Sequence, residues 1–246
     1  MPNPLNSAML KRLITATLPV ILLAVVFQAC DQDPAGSDDT DTDTVTDDPV
    51  AETVQIGDQI WMTANLEVTR YRNGDLISNF TDRARLDTTT AGAYTAFNMA
   101  DSNKATYGYL YNWHAINDSR NIAPEGWHVP TDEEWQTLEI FLGMSPGDAD
   151  SLRWRGSDEG HRLKLKAGWD GNGNGSNETG FSAVPGGAYF RGAYGGLGTA
   201  ALFWTATEAD SGFSGAFARV LASNNPDIFR YRYSLQDGFS IRCIKD

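Results

Sequence analysis

Between Asp31 and Glu52 the chain carries nine acidic residues, no basic residue, two prolines and almost nothing apolar. Such a stretch buries too little surface to offset the entropy of ordering, and its like charges keep it extended. Its 22 residues reach at most roughly 75 Å as a taut chain. The segment therefore divides the molecule, and any packed core has to be built from residues 53–246. It also dominates the charge. The formal net of −13 comes from 19 basic and 32 acidic residues, and setting aside the nine linker acids together with Lys11 and Arg12 leaves 23 acids against 17 bases, or −6. A head with that mild acidity lacks the clustered Lys and Arg that phosphate binding requires, which excludes nucleic acid as a partner.

Ahead of the linker, Leu13–Phe27 is nearly all apolar and follows Lys11 and Arg12, the order of a secretory signal. The run is shorter than the about 20 residues of a spanning helix. It contains Pro19 and stops at the small residue Ala29, followed by Cys30. Residues 1–29 are expected to be a removable signal peptide. Phe27-Gln28-Ala29-Cys30 resembles the lipobox of bacterial lipoproteins, with Phe27 in place of the usual Leu. That resemblance implies cleavage before Cys30 and diacylglycerol on its thiol, making the membrane a partner through the lipid. Each buried CH2 contributes about 0.8 kcal/mol, so two or three acyl chains anchor stably where one does not. Residues 30–52 then form the lipidated cysteine and its disordered acidic tether. Acids directly after the cysteine also resemble the signal that sends some Gram-negative lipoproteins to the outer face of the outer membrane. A plain solvated spacer is the other reading of the same charge run.

Residues 53–246 read as one domain, with aromatics and glycines throughout and no second linker. Thr53–Ile56 and Gln59–Met62 flank a Gly57-Asp58 turn, a hairpin signal. Thr131 and Glu134 form a capping box for a helix over Asp132–Leu142, where Trp135, Leu138 and Leu142 make one buried stripe before Gly143. Leu202–Thr205, Ala216–Leu221, Ile228–Tyr233 and Phe239–Ile244 read as antiparallel strands. Phe229, Tyr231 and Tyr233 oppose Arg230 and Arg232; Phe239, Ile241 and Cys243 oppose Ser240 and Arg242. Arg219, Arg230, Arg232 and Arg242 are expected on solvated strand faces, forming a cationic patch only if the strands align. Helix followed by a strand meander is an α+β pattern. Gly168–Gly198 holds 11 of the 24 glycines and reads as mostly loop.

Motifs for chemistry are sparse. There is no GxxxxGK[ST], HExxH or GxSxG, since Ala216 stands where the last glycine belongs. Two cysteines and three histidines exclude a disulfide scaffold and leave little room for a multi-histidine metal centre. Asp170, Asn172, Asn174 and Glu178 put oxygen ligands along a glycine-rich loop, imitating the first half of a calcium loop, but Phe181 occupies the twelfth position where a bidentate Glu belongs. Calcium is thus the one cofactor the sequence raises, against a flexible polar turn. Trp61, Trp113, Trp127, Trp135 and Trp204 sit in apolar patterns and read as core, whereas Trp154 and Trp169 have charged or glycine neighbours and read either as core or as rings for stacking on a sugar. His114 and His128 read as hydrogen-bonded structural residues. Glu133 and Glu134 are explained by the helix dipole.

Six blocks in order carry a specific resemblance. They are Ile56-Gly57…Trp61-Met62…Asn65-Leu66; Gly108-Tyr109-Leu110-Tyr111-Asn112-Trp113; Pro124-Glu125-Gly126-Trp127-His128-Val129-Pro130-Thr131…Glu134-Trp135; Gly180-Phe181-Ser182-Ala183-Val184-Pro185-Gly186-Gly187; Phe203-Trp204-Thr205-Ala206-Thr207-Glu208; and Gly238 through Asp246. Together they resemble the Fibrobacter succinogenes major paralogous domain over essentially all of Thr53–Asp246. That domain in turn resembles the C-type lectin-like and formylglycine-generating-enzyme superfamily, through the Val129–Trp135 helix start and the Gly238–Cys243 strand. The resemblance implies a lectin-like α+β fold with long glycine-rich loops, in an exported or lipid-anchored protein. Many related domains carry a cysteine where Ala123 stands, so Cys243 is left as a buried free thiol; a lone buried thiol also cannot supply the cysteine chemistry of the sulfatase-activating enzymes, which points away from catalysis. The expected function is a tethered, surface-exposed binding or adhesion module for glycans or envelope proteins. A polysaccharide hydrolase and a purely architectural envelope protein are the alternatives.

Overall fold

The hairpin forms where the local signals place it, with β1 (Thr53–Ile56) and β2 (Gln59–Met62) antiparallel and Val54 opposite Trp61. Gly57 turns the chain at φ +61°, in the left-handed region that favours glycine, and a Cβ there would fall 2.9 Å from the exposed Phe141 ring, which would have to shift. This computed structural model describes residues 52–82, 87–209, 212 and 214–246. The expected signal peptide, Cys30 and the linker up to Ala51 lie outside the described residues. The described residues from Glu52 to Asp246 cluster as one unit. Among the described residues no helix is long and apolar enough to cross a membrane.

The chain continues through β3 (Ser78–Asn79), β4 (Ala93–Thr95), α1 (Lys104–Tyr107), β5 (Leu110–Tyr111), α2 (Trp113–Ile116) and β6 (Trp127–His128). The main helix, α3 (Asp132–Phe141), follows. The Thr131 hydroxyl accepts from the Glu134 N–H while Glu134 accepts from the Thr131 N–H, completing the capping box. Trp135, Leu138 and Leu142 are buried as expected. Next come α4 (Pro146–Asp150), β7 (Arg153–Arg155), α5 (Glu159–Leu163), β8 (Gly186–Phe190), β9 (Ala193–Leu197), β10 (Ala200–Glu208), β11 (Gly215–Ala222), β12 (Asn225–Ser234) and β13 (Ile244–Lys245).

These strands make three sheets, ordered β1-β2-β13-β6, β7-β12-β11-β10-β8-β9 and β3-β4-β5. Pairing is antiparallel except for β3 with β4 and β8 with β10. The architecture is α+β. Trp61, Trp135, Phe181 and Phe203 form one aromatic core, with ring centroids 5.1–5.8 Å apart along the chain of contacts.

Two sequence expectations need correction and one a refinement. Gly168–Gly198 is mostly loop as expected, but it ends in the β8–β9 hairpin. Its first half uses glycine for close approach: a Cβ at Gly173 would collide with Ser223, and one at Gly175 with the Lys164 carbonyl. The stretch Phe239–Ile244 is a strand only at its end. Its earlier residues pass between elements, with Phe239 bridging Tyr111 and Ser240 bridging Phe203, so both faces are buried and Ser240 and Arg242 are as enclosed as Ile241. Finally, Arg219, Arg230 and Arg242 are buried rather than solvated.

Candidate functional site

The six-stranded sheet sets the geometry. On β12, Ile228 and Arg230 point inward, while Phe229, Tyr231 and Tyr233 occupy the opposite face. The alternation read from the sequence is present, but its sense is inverted, with arginine inside and aromatics outside. Inversion is possible because α3 carries two buried carboxylates onto the inner face. Asp132 accepts from Arg219 (2.5 Å) and Arg230 (2.7 Å), and Glu139 accepts from Arg155 (2.5 Å) and Arg219 (2.7 Å). Paired in this way, the charges tolerate burial. Desolvation opposes ionisation of Asp132, yet the two arginines hold its pKa below the usual carboxylate range.

The outer face carries a continuous run of aromatic rings. Trp154 on β7 stands directly opposite Phe229, ring centroids 5.0 Å apart; Phe229 to Tyr231 is 5.8 Å, Tyr231 to Tyr233 is 6.0 Å, and Tyr233 to Phe190 is 5.7 Å. Trp154 is 42% and Tyr231 38% exposed, the others half-buried. Tyr233 anchors the run by packing edge-on against buried Phe239 at 5.0 Å; burial, then nearby Asp237 and Tyr231, pushes its pKa up to about 12. Ala216 and Ala218 stand across from Tyr233 and Tyr231, and these small side chains leave room for the rings. Beside Tyr233 opens a groove of about 360 Å³ between Phe190, Tyr194, Leu202 and Val220.

The residues singled out in the sequence do not share one surface. Trp154 heads the aromatic run. Trp169 is core, 5% exposed, its indole N–H donating to the Ala183 carbonyl (3.1 Å), so it offers no ring to a ligand. In the 170–178 loop, the Asn174 side-chain oxygen accepts from the Trp169 N–H (3.0 Å) and Glu178 accepts from Arg162 (3.0 Å). Asn172 and Asn174 line a cleft of about 240 Å³ with His161 and Lys164, whose ammonium donates to the Ala222 and Asn225 carbonyls. The Asp170 N–H bonds the Gly198 carbonyl instead. Of the loop's four candidate oxygen ligands, Asn174 and Glu178 are thus engaged within the protein, beside a buried cation. Among the described residues no group of three or more His, Cys, Asp or Glu side chains is placed to hold a metal ion.

His128 and Cys243 occupy the places expected of structural residues. The imidazole lies between Glu134 (2.8 Å) and Asp246 (2.7 Å), and the Cys243 thiol is free and fully buried. Of the five tryptophans expected in the core, Trp127 is only half-buried. The outward face of β12 escaped the sequence reading because alternation reveals that two faces differ without saying which one meets solvent.

Fold and site together define a class: an α+β head whose broadest sheet is pinned to its main helix by buried ion pairs and shows aromatic rings on the other side. Residues 54–245 match the Fibrobacter succinogenes major domain, and the chain belongs to that family. No curated protein and no solved structure gives a significant match.

Proposed function

We propose that the head is a glycan-binding adhesion module with a C-type lectin-like chain path, carried outside the cytoplasm on the acidic tether and a lipid at Cys30 of an outer-membrane lipoprotein. The observation that carries the reading is the run Trp154–Phe229–Tyr231–Tyr233. A saccharide presents an axial C–H face that packs on an aromatic ring, and successive rings 5.0–6.0 Å apart, tilted or edge-on to one another, can engage successive sugars of a chain through their exposed faces and edges. Arg153, with its guanidinium 5.9 Å from the Tyr231 ring, supplies a donor for hydroxyls at the rim. Exposed aromatics without such a role are a liability on a secreted surface.

The hydrolase alternative has one observation in its favour. Burial raises the pKa of Asp237 to about 6 despite backbone N–H bonds from Arg191 and Ser234 and the Arg191 charge, with Asp87 reinforcing the rise. Asp237, however, is buried and lines none of the clefts described above; its two accepted hydrogen bonds tie the Ser234–Asp237 turn to Arg191. Binding is the reading the geometry supports best.

The test uses the full chain with Cys30→Ser, run by affinity electrophoresis through gels containing soluble β-glucan, xylan or pectin. Retardation by at least one polysaccharide, lost in Trp154→Ala with Tyr231→Ala at unchanged melting temperature, is expected. Equal mobility of both proteins in every gel, on a glycan array and in pull-downs from surface extracts overturns the proposal.

A further inference from the structure

Arg242 sits 1% exposed in the last segment of the head, and it differs from the other buried arginines. Arg155, Arg219 and Arg230 each reach a carboxylate. Arg242 reaches none among the described residues. Its Nε and one Nη2 hydrogen go to the Asn65 side-chain oxygen (3.1 and 2.6 Å), and Nη1 donates to the carbonyls of Met62 (3.3 Å) and Phe181. The guanidinium lies over the Phe181 ring, 4.6 Å from its centroid. Five N–H groups are available, so one Nη2 hydrogen is unused and the positive charge is uncompensated. Asn65 is itself locked, its amide donating to the Tyr107 carbonyl (2.9 Å) and Ser240 Oγ (3.2 Å).

Arg242 lines a cleft of about 400 Å³, within the usual span of small-ligand sites, roughly 300–1,000 Å³. Met62, Leu66, Leu165 and Val184 give it apolar walls, while Thr106 and Ser182 add hydroxyls. Lys104 and Glu67 also line it, so the charges are two positive against one negative. We propose that this cleft binds a small organic carboxylate, its anionic head on Arg242 and its carbon skeleton against the apolar wall. An unpaired buried cation is costly unless a counter-charge arrives. A carboxylate matches the guanidinium through charge-assisted hydrogen bonds. The apolar wall selects an organic acid over a bare inorganic ion. Burial lowers the Arg242 pKa, in keeping with a charge that lacks its partner. The site lies apart from the aromatic face and does not depend on it.

The experiment follows the melting temperature of the full chain with Cys30→Ser against hexanoate and hexanamide, D-galacturonate and its methyl ester, and inorganic phosphate. A saturable rise of several degrees with at least one acid, absent with its neutral counterpart, is expected. Thr106 is exposed, so Thr106→Trp, which fills the mouth without touching the core, should fold normally and weaken binding by at least roughly tenfold. Arg242→Lys should weaken it as well. Trp154→Ala with Tyr231→Ala should leave the shift intact, which separates this site from the glycan face. Acids indistinguishable from their neutral partners, a shift that survives Thr106→Trp, or a response to phosphate alone overturns the proposal.

Discussion

Arg219 and Arg230 stand directly opposite each other on β11 and β12, and both guanidiniums converge on the single carboxylate of Asp132. Like charges facing each other across a sheet repel, so this arrangement exists only because α3 delivers its first acidic residue between them. The N-terminal turn of that helix is thereby fixed to the sheet through charge as well as through the apolar stripe of Trp135 and Leu138.

Removing Asp132 should therefore be far worse than removing a surface acid. Asp132→Ala leaves two buried cations short of a partner and is expected to cost about 3–5 kcal/mol, read as a lower urea midpoint. A loss below about 1 kcal/mol would mean that water reaches the guanidiniums and that the pairing is not buried in solution.

The contact between His128 and its two carboxylates gives stability a pH dependence near neutrality. Burial lowers the imidazole pKa, but the hydrogen bonds and charges of Glu134 and Asp246 outweigh it and raise the net value. The protonated ring is thus favoured in the folded state. Its contribution is fully present below about pH 6.5, the unfolded value, and fades as pH rises through the higher folded value. Histidine to asparagine at 128 should flatten the melting curve over that window; an unchanged slope would place the cause elsewhere.

Asp237 acts in the same direction at lower pH. With its folded pKa raised to about 6, its protonated form suits the fold, so stability is lost as pH climbs from about 4 through 6. Asp237→Asn should remove that decline, at a scale of roughly 2–3 kcal/mol. Chemical denaturation at pH 4, 5, 6 and 7 separates this step from that of His128.

The thiol of Cys243 should be inert while the head is folded. Burial pushes its pKa up to about 12, more than the neighbouring Arg242 charge lowers it, and it is fully enclosed, so neither thiolate nor access is available. In the Cys30→Ser chain, a chromogenic disulfide reagent should react only after denaturant is added. Rapid labelling under native conditions would show that the last segment opens readily.

What could be read in advance follows from the range of the forces involved. The β1–β2 turn and the capping box of α3 are decided within a few residues, and both are found where the sequence puts them. The arginines of β11 and β12 are decided by Asp132 and Glu139, some 80 to 98 positions away along the chain, and a charged residue in a strand reads as solvated until its partner is known. The same gap hid the site. Trp154 drew notice through its flanking arginines, whereas its partners Phe229 and Tyr231 looked like core because their neighbours are charged. Trp169 was open to either reading, and its indole N–H found a carbonyl inside. Arg242 looked like the solvated side of a strand, and only the passage of residues 239–243 between elements encloses it.

That passage governs when the head can form. Phe239, Ile241 with Cys243, and Ile244 enter three different apolar clusters, the three largest of the described head, so none of those three is complete until the final few residues of the domain have left the ribosome. A nascent chain emerging in order keeps its main cores open until then. On the proposed route of export, that delay would keep the chain in the threadable state a translocation channel requires, with the final segment closing the fold on the far side.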